Sequence, residues 1–222
     1  MAYNVQREAA RPRAADTIGA LIAADGGKTH SYIASQIFAR GRETGRDLAD
    51  AVHFIASLHG RHPGVIELAC DRPAEGGVRA WLDAAGQGFG EERAYLTRIV
   101  VAAGPLPSTA GHAESEAAVV GQRHALEMLA RSERDGCSLG AAIGLVLDWR
   151  PVRAVLDAAA QRFGVTLTPP ALPSTRQTLG ITEEARSPAV ERAILFGAQQ
   201  LLVQHRGLWD LLEARSGARI GT

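Results

Sequence analysis

Residues 136–164, GCSLGAAIGLVLDWRPVRAVLDAAAQRFG, constrain the fold more than any other stretch. Within them, residues 139–147 carry no charged and no strongly polar side chain on any face. A helix that is apolar all round must be covered all round by protein or lipid. The uncharged run is about ten residues, well short of the roughly 20 that cross a bilayer, so it predicts a buried central helix. Gly140 and Gly144 lie four apart on one face, where a neighbouring helix can approach closely. Pro151 has no backbone N–H and is expected to kink or restart this helix, and Leu156, Ala160 and Phe163 carry its apolar stripe onward.

The rest of the chain is expected to pack around that element. At 222 residues one domain with a sizeable core is expected. Alanine and leucine dominate, and β-branched and aromatic residues are sparse, which favours helix over sheet. Lysine plus arginine equals aspartate plus glutamate at 24 each, so the basic footprint of a nucleic-acid binder is absent. Cys70 and Cys137 form no CxxC pair and read as small buried hydrophobes in a reducing cytoplasm. No secretory leader and no membrane span is expected.

Apolar spacings of three and four recur, and no alternating pair of runs suggests a hairpin. The expected organisation is a loose segment at 1–13 and a single helical domain over 14–216. Thr44 with Asp47 resembles a capping box opening a helix that runs to His59, with Leu48, Val52 and Ile55 on one face and Asp50 and His53 opposite. The run 86–90, GQGFG, is expected to break its helix. Residues 165–186 hold three prolines and no sustained period, so a lid, a wrapping arm or a disordered segment is expected there. Ser187-Pro188 starts a long last helix, ended by Ser216-Gly217. Val190, Ile194, Leu201, His205, Leu208 and Leu212 share its inner face. Leu195, Leu202 and Trp209 lie outside that stripe, which suggests a homodimer through this helix.

The run GAAIGLVLDWRPVRAVLDAAAQRFG resembles an uncharacterised bacterial family of all-helical proteins of unknown function. The resemblance implies an all-helical fold and no activity. In helix number and length, about seven, the chain is similar to ferritin-like and haem-oxygenase-like bundles, folds that host unrelated functions.

The polar residues that interrupt apolar stripes are the candidates for a site. His59 and His205 each continue a stripe, as contacts to a metal, haem or small ligand between two helices, or as core histidines bonded to a carbonyl or water. Asp148 follows the uncharged run and precedes Trp149. It needs a partner if buried, either Arg150 or Arg153 or one of the two histidines, whose ring it would orient as carboxylates orient metal-bound imidazoles. Convergence of His59, His205 and Asp148 would make a ligand-binding site, with Trp149 beside it and residues 165–186 as its cover. His112, Glu116, Arg123, His124 and Glu127 form a second cluster. His112, Glu116 and His124 are weaker metal-ligand candidates, against a solvated, salt-bridged face. No Glu-x-x-His of the ferritin type occurs anywhere in the chain. Two functions follow. One is a helical domain without a cofactor that binds a small apolar molecule or a protein partner. The other is a ferritin-like or haem-oxygenase-like oxidoreductase using a transition metal or haem.

Overall fold

Spacings of three and four become helices throughout the described residues. The computed structural model describes residues 13–41, 43–185 and 187–220, and among them every regular element is helical and no strand occurs. In chain order these are α1 (Ala14–Asp25), a 3-10 turn (Gly27–Thr29), α2 (Ser31–Ala34), α3 (Thr44–His59), α4 (Val65–Cys70), α5 (Gly76–Ala103), α6 (His112–Ala130), α7 (Cys137–Phe163), α8 (Thr175–Ile181), a second 3-10 turn (Thr182–Glu184) and α9 (Pro188–Ile220). The segment expected to be loose, 1–13, lies outside the described residues apart from Arg13.

α7 is the buried centre that its composition demands. Ala141, Ala142, Ile143 and Leu145 are wholly inaccessible, and Val146 is buried. The most extensive packing is α7 against α9, while α3, α4, α5 and α6 cover its other sides. Small residues make the α7–α9 approach possible. A Cβ on Gly140 would overlap the main-chain carbonyl of Ile194, and one on Gly144 would stand 3.0 Å from Cα of Ala198. No helix among the described residues is long and apolar enough to cross a membrane.

Several local expectations give way to tertiary packing. GQGFG does not break its helix, since α5 runs unbroken from Gly76 to Ala103. A glycine inside a helix costs about 1 kcal/mol relative to alanine, and packing outweighs that here. Phe89 is buried, and a Cβ on Gly88 would overlap the carbonyl of Ala171. The glycine therefore lets the 165–174 arm cross the helix. α7 runs through Pro151 to Phe163 as one helix, without a restart. Residues 165–186 are partly ordered as α8. The Ser174 hydroxyl accepts the Gln177 N–H at 3.3 Å and the Gln177 side chain accepts the Ser174 N–H at 3.0 Å, a capping box present in the sequence as Ser-x-x-Gln.

The Thr44–Asp47 pair, by contrast, is not a capping box. Thr44 bonds the carbonyls of Ile37 and Gly41 instead. Asp47 and Asp50, the latter expected on the outer side of α3, are both buried, and they hold Arg215 and Arg219 of α9. This anchorage carries α9 past Ser216-Gly217 to Ile220. The same helix buries Leu202 and Trp209 inside the chain, so neither is available to a second subunit; among its described side chains the large apolar ones left exposed are Phe196 and Val203.

Candidate functional site

The apolar stripes of α3 and α9 each carry one histidine, and the packing of both helices on α7 brings the two rings together. Nε2 of His59 lies 2.9 Å from Nε2 of His205. Nδ1 of His205 lies 2.7 Å from Oδ2 of Asp148, whose Oδ1 accepts the main-chain N–H of Gly27 at 2.8 Å. All three side chains are buried. Asp148 thus finds its partner in His205 and in the Gly27 turn, not in Arg150 or Arg153.

The bonds set the protons. An ionised carboxylate only accepts, so His205 carries its proton on Nδ1 and, when neutral, presents a lone pair on Nε2. His59 then donates from Nε2. That is the one hydrogen bond of the His59 ring among the described residues, and the ring lines a small cleft with Arg61, Phe89, Arg123 and Glu127. Burial, then the neighbouring His205 and Arg93, hold the His59 imidazole well below its ordinary 6.5.

A pH dependence follows from that depression. The unfolded chain protonates His59 near 6.5, whereas the folded chain does so only well below that value. In between, the unfolded state binds more protons, so this contribution is complete above about 6.5 and is lost as pH falls toward the folded value. Denaturant midpoints are expected to drop on mild acidification, and less steeply in His59→Gln, which keeps an N–H donor. Identical slopes for the two proteins would show that His59 is not responsible.

The walls of the site are aromatic. Trp149 and Phe89 meet the His59 ring edge to face, with centroids 5.6 and 6.3 Å away. The Trp149 N–H is committed to Oε2 of Glu92 at 3.0 Å, and Oε1 of Glu92 binds Arg153 at 2.8 Å and the Ala171 N–H at 3.1 Å. Arg153 also holds Asp157 and the carbonyl of Thr168. The 165–174 arm is therefore fastened over Glu92 and Arg153, on the far side of Trp149, and is not a lid over the histidines. Phe89, Glu92 and the Gly27 turn escaped the sequence reading. The signal for Glu92 was available, because it interrupts the stripe Leu82, Ala85, Phe89, Leu96, Ile99.

The metal-ligand candidates on α6 do not gather. His112 pairs with Glu116 at 3.4 Å and Arg123 with Glu127 at 3.8 Å, as along an ordinary solvated face. His124 is exposed and roughly 18 Å further along the helix axis than His112, by the helical rise. Nor does the His59–His205 pair have the geometry of a metal cage. Two nitrogens bound tetrahedrally to one ion, each at about 2.0–2.1 Å, stand roughly 3.3 Å apart, and Asp148 faces the far side of His205. A cluster the sequence reading missed, His30 with Asp210 and Glu213, could hold an ion by its spacing. Yet Nδ1 of His30 accepts the Tyr32 N–H at 3.2 Å, so its Nε2 carries the proton that meets Asp210 at 3.0 Å and has no lone pair to give.

A second concavity lies at the opening turn of α7. About 560 Å³ in volume, it is walled by Val78, Leu82, Leu139, Ile181, Val190 and Ile194. Arg72, Arg79, Glu133 and Glu184 stand around it. Arg72 and Arg79 are occupied by main-chain carbonyls of residues 70, 72, 131 and 132.

A family model matches residues 22–220 of the chain. The chain belongs to a family of unknown function, DUF6975. The matched span holds the whole His59–His205–Asp148 centre of this DUF6975 member and both concavities, and it agrees with the resemblance of the central run to an all-helical family. No curated protein and no solved structure matches the chain.

Proposed function

We propose that this protein binds a small molecule with a largely apolar body in the cleft between α4, α5, the first turn of α7 and the start of α9. The observation that supports the reading is the cleft itself. Its volume of about 560 Å³ falls within the roughly 300–1,000 Å³ usual for small-molecule sites. Six aliphatic side chains line it together with the charged residues Arg72, Glu75, Arg79, Glu133, Arg134, Asp135 and Glu184, a mixed lining that supports a molecule with both an apolar body and a polar end. Ser138, in the first turn of α7, also lines it and offers a hydroxyl to a polar group on a ligand.

The test uses the environment-sensitive dye 1-anilinonaphthalene-8-sulfonate on the folded full chain. Leu139 is half-buried in the cleft wall, so Leu139→Trp fills the space without touching the core beneath. One dye per chain is expected in the native protein. The variant is expected to bind it at least about tenfold more weakly, a step of 1.4 kcal/mol, while its thermal transition stays cooperative. No binding by the native chain, or equal binding by the two proteins, overturns the reading.

A further inference from the structure

We infer that Asp148, His205 and His59 form a two-imidazole proton relay, whose outer end, Nδ1 of His59, is an acid–base site for a small protic molecule in the cleft between the 59–65 turn, Phe89 and α6. This cleft shares no lining residue with the α7 cleft.

Three observations carry it. First, the chain is continuous. The contacts from Gly27 to Asp148, from Asp148 to His205 and from His205 to His59 measure 2.8, 2.7 and 2.9 Å, all within hydrogen-bonding range. Second, its charge is incomplete. With both rings neutral, the site holds one carboxylate whose partners are an N–H of Gly27 and an N–H of His205, while the side chains of Asp148 and His205 are 2% and 1% exposed. A buried charge without a counter-charge is costly. One added proton, placed on His205, converts the site into a carboxylate–imidazolium pair of net charge zero. Third, the entrance is built. His59 lines a cleft of about 20 Å³, room for roughly one water molecule.

The proton balance is closed. A donor in the cleft, water-borne hydronium or a hydroxyl group, gives its proton to Nδ1 of His59. The N–H bond at Nε2 of His59 breaks as an N–H bond forms at Nε2 of His205. The proton on Nδ1 of His205 stays against Asp148. His59 ends neutral, as the opposite tautomer, and the positive charge rests on His205. The conjugate base of the donor is left in the cleft, where Arg61 and Arg123 face it. Reversal delivers a proton to the cleft. The charged groups around His59 are Arg93 with its partner Glu67 on the α5 and α4 side, Arg61 in the turn, and Arg123 with Glu127 on α6. Glu92 is screened from it by Trp149. The cations beside His59 disfavour charge on that ring and favour passing it inward, consistent with its neutrality when folded.

The experiment is nitrogen NMR of the full native chain labelled with ¹⁵N-histidine, followed over the whole pH range in which the protein stays folded. As pH falls, His205 is expected to become imidazolium while His59 stays neutral and moves its proton from Nε2 to Nδ1. In the acid form the Nδ1–H of His59 is expected to exchange with water and that of His205 to remain protected. A pair that takes up no proton while folded would show no such tautomer switch. The inference is overturned if His59 charges before His205, if His205 charges without a change of tautomer at His59, if neither ring changes, or if the two Nδ1–H groups are equally protected. Asp148→Asn removes the counter-charge, and the switch is expected to disappear or to move at least one pH unit lower; an unchanged switch overturns the role of Asp148. Should that variant fail to fold, the native chain carries the test by itself.

Discussion

Asp50→Ala is expected to cost about 3–5 kcal/mol of unfolding free energy, the range for removing one partner of a buried ion pair. Surface pairs are worth far less, typically under about 1 kcal/mol, and the geometry decides which class applies. Asp50 is 1% exposed and receives Nε and Nη2 of Arg215, each at 3.1 Å. That fork-on-carboxylate match is the strong form of the interaction. Arg219 binds the same carboxylate and reaches across to Asp47. Two aspartates and two arginines therefore balance inside the protein, with the Arg215 guanidinium over the Phe54 ring at 4.9 Å. Alanine at position 50 leaves two guanidiniums sharing one carboxylate, out of reach of water. Urea unfolding of Asp50→Ala, Arg215→Ala and the double variant reads the coupling directly. The double variant is expected to be less destabilised than the sum of the singles. Strict additivity, or a loss below about 1 kcal/mol for Asp50→Ala, would mean that the cluster is solvated.

Ile143→Ala is expected to cost about 2–5 kcal/mol, the transfer energy of the lost carbons plus the cavity they leave. Ile143 is fully inaccessible and sits mid-way along the uncharged half of α7, with Ala142 and Gly144 as its chain neighbours. The surroundings cannot readily collapse into the space. α7 and α9 are already in backbone contact at Gly140 and Gly144, so neither helix can move closer there. A value near the top of the range is therefore expected from chemical denaturation with an unchanged m-value. A loss within the error of the titration would show that α7 is not the centre of the core.

Much of the helical architecture was legible in the residues. An uncharged run too short for a membrane had to be buried in protein, and Gly140 and Gly144 marked the face where α9 would meet it. The Ser-x-x-Gln start of α8 was equally present but lay among prolines that pointed to a loop. What misled was local chemistry with a tertiary answer. The glycines of GQGFG signal a break when considered alone, but Gly88 is there because the carbonyl of Ala171 occupies the place of its side chain. Asp50 falls on the outer side of a helical wheel, and only the return of α9 along α3 turns that side into an interior. Leu202 and Trp209 looked free for a second subunit for the same reason, since a helical wheel counts one partner face and α9 has several.

The sequence by itself determined that His59, His205 and Asp148 were out of place, because each stands where an apolar stripe or an uncharged run calls for a hydrocarbon side chain. That much follows from periodicity and the cost of burying polar groups. Only the tertiary structure decided what they are for one another. Positions 59, 148 and 205 come from three helices, and their distance depends on the crossing of those helices on α7, which no local spacing encodes. The fold also chose Asp148's partner, taking His205 and the Gly27 N–H over the nearby arginines. Arg153 is drawn off by Asp157, one turn along its own helix, and by Glu92, whose position depends on α5 running unbroken through its glycines. Local residues set which groups would need partners; the packing of helices distant in the chain set which partners they found.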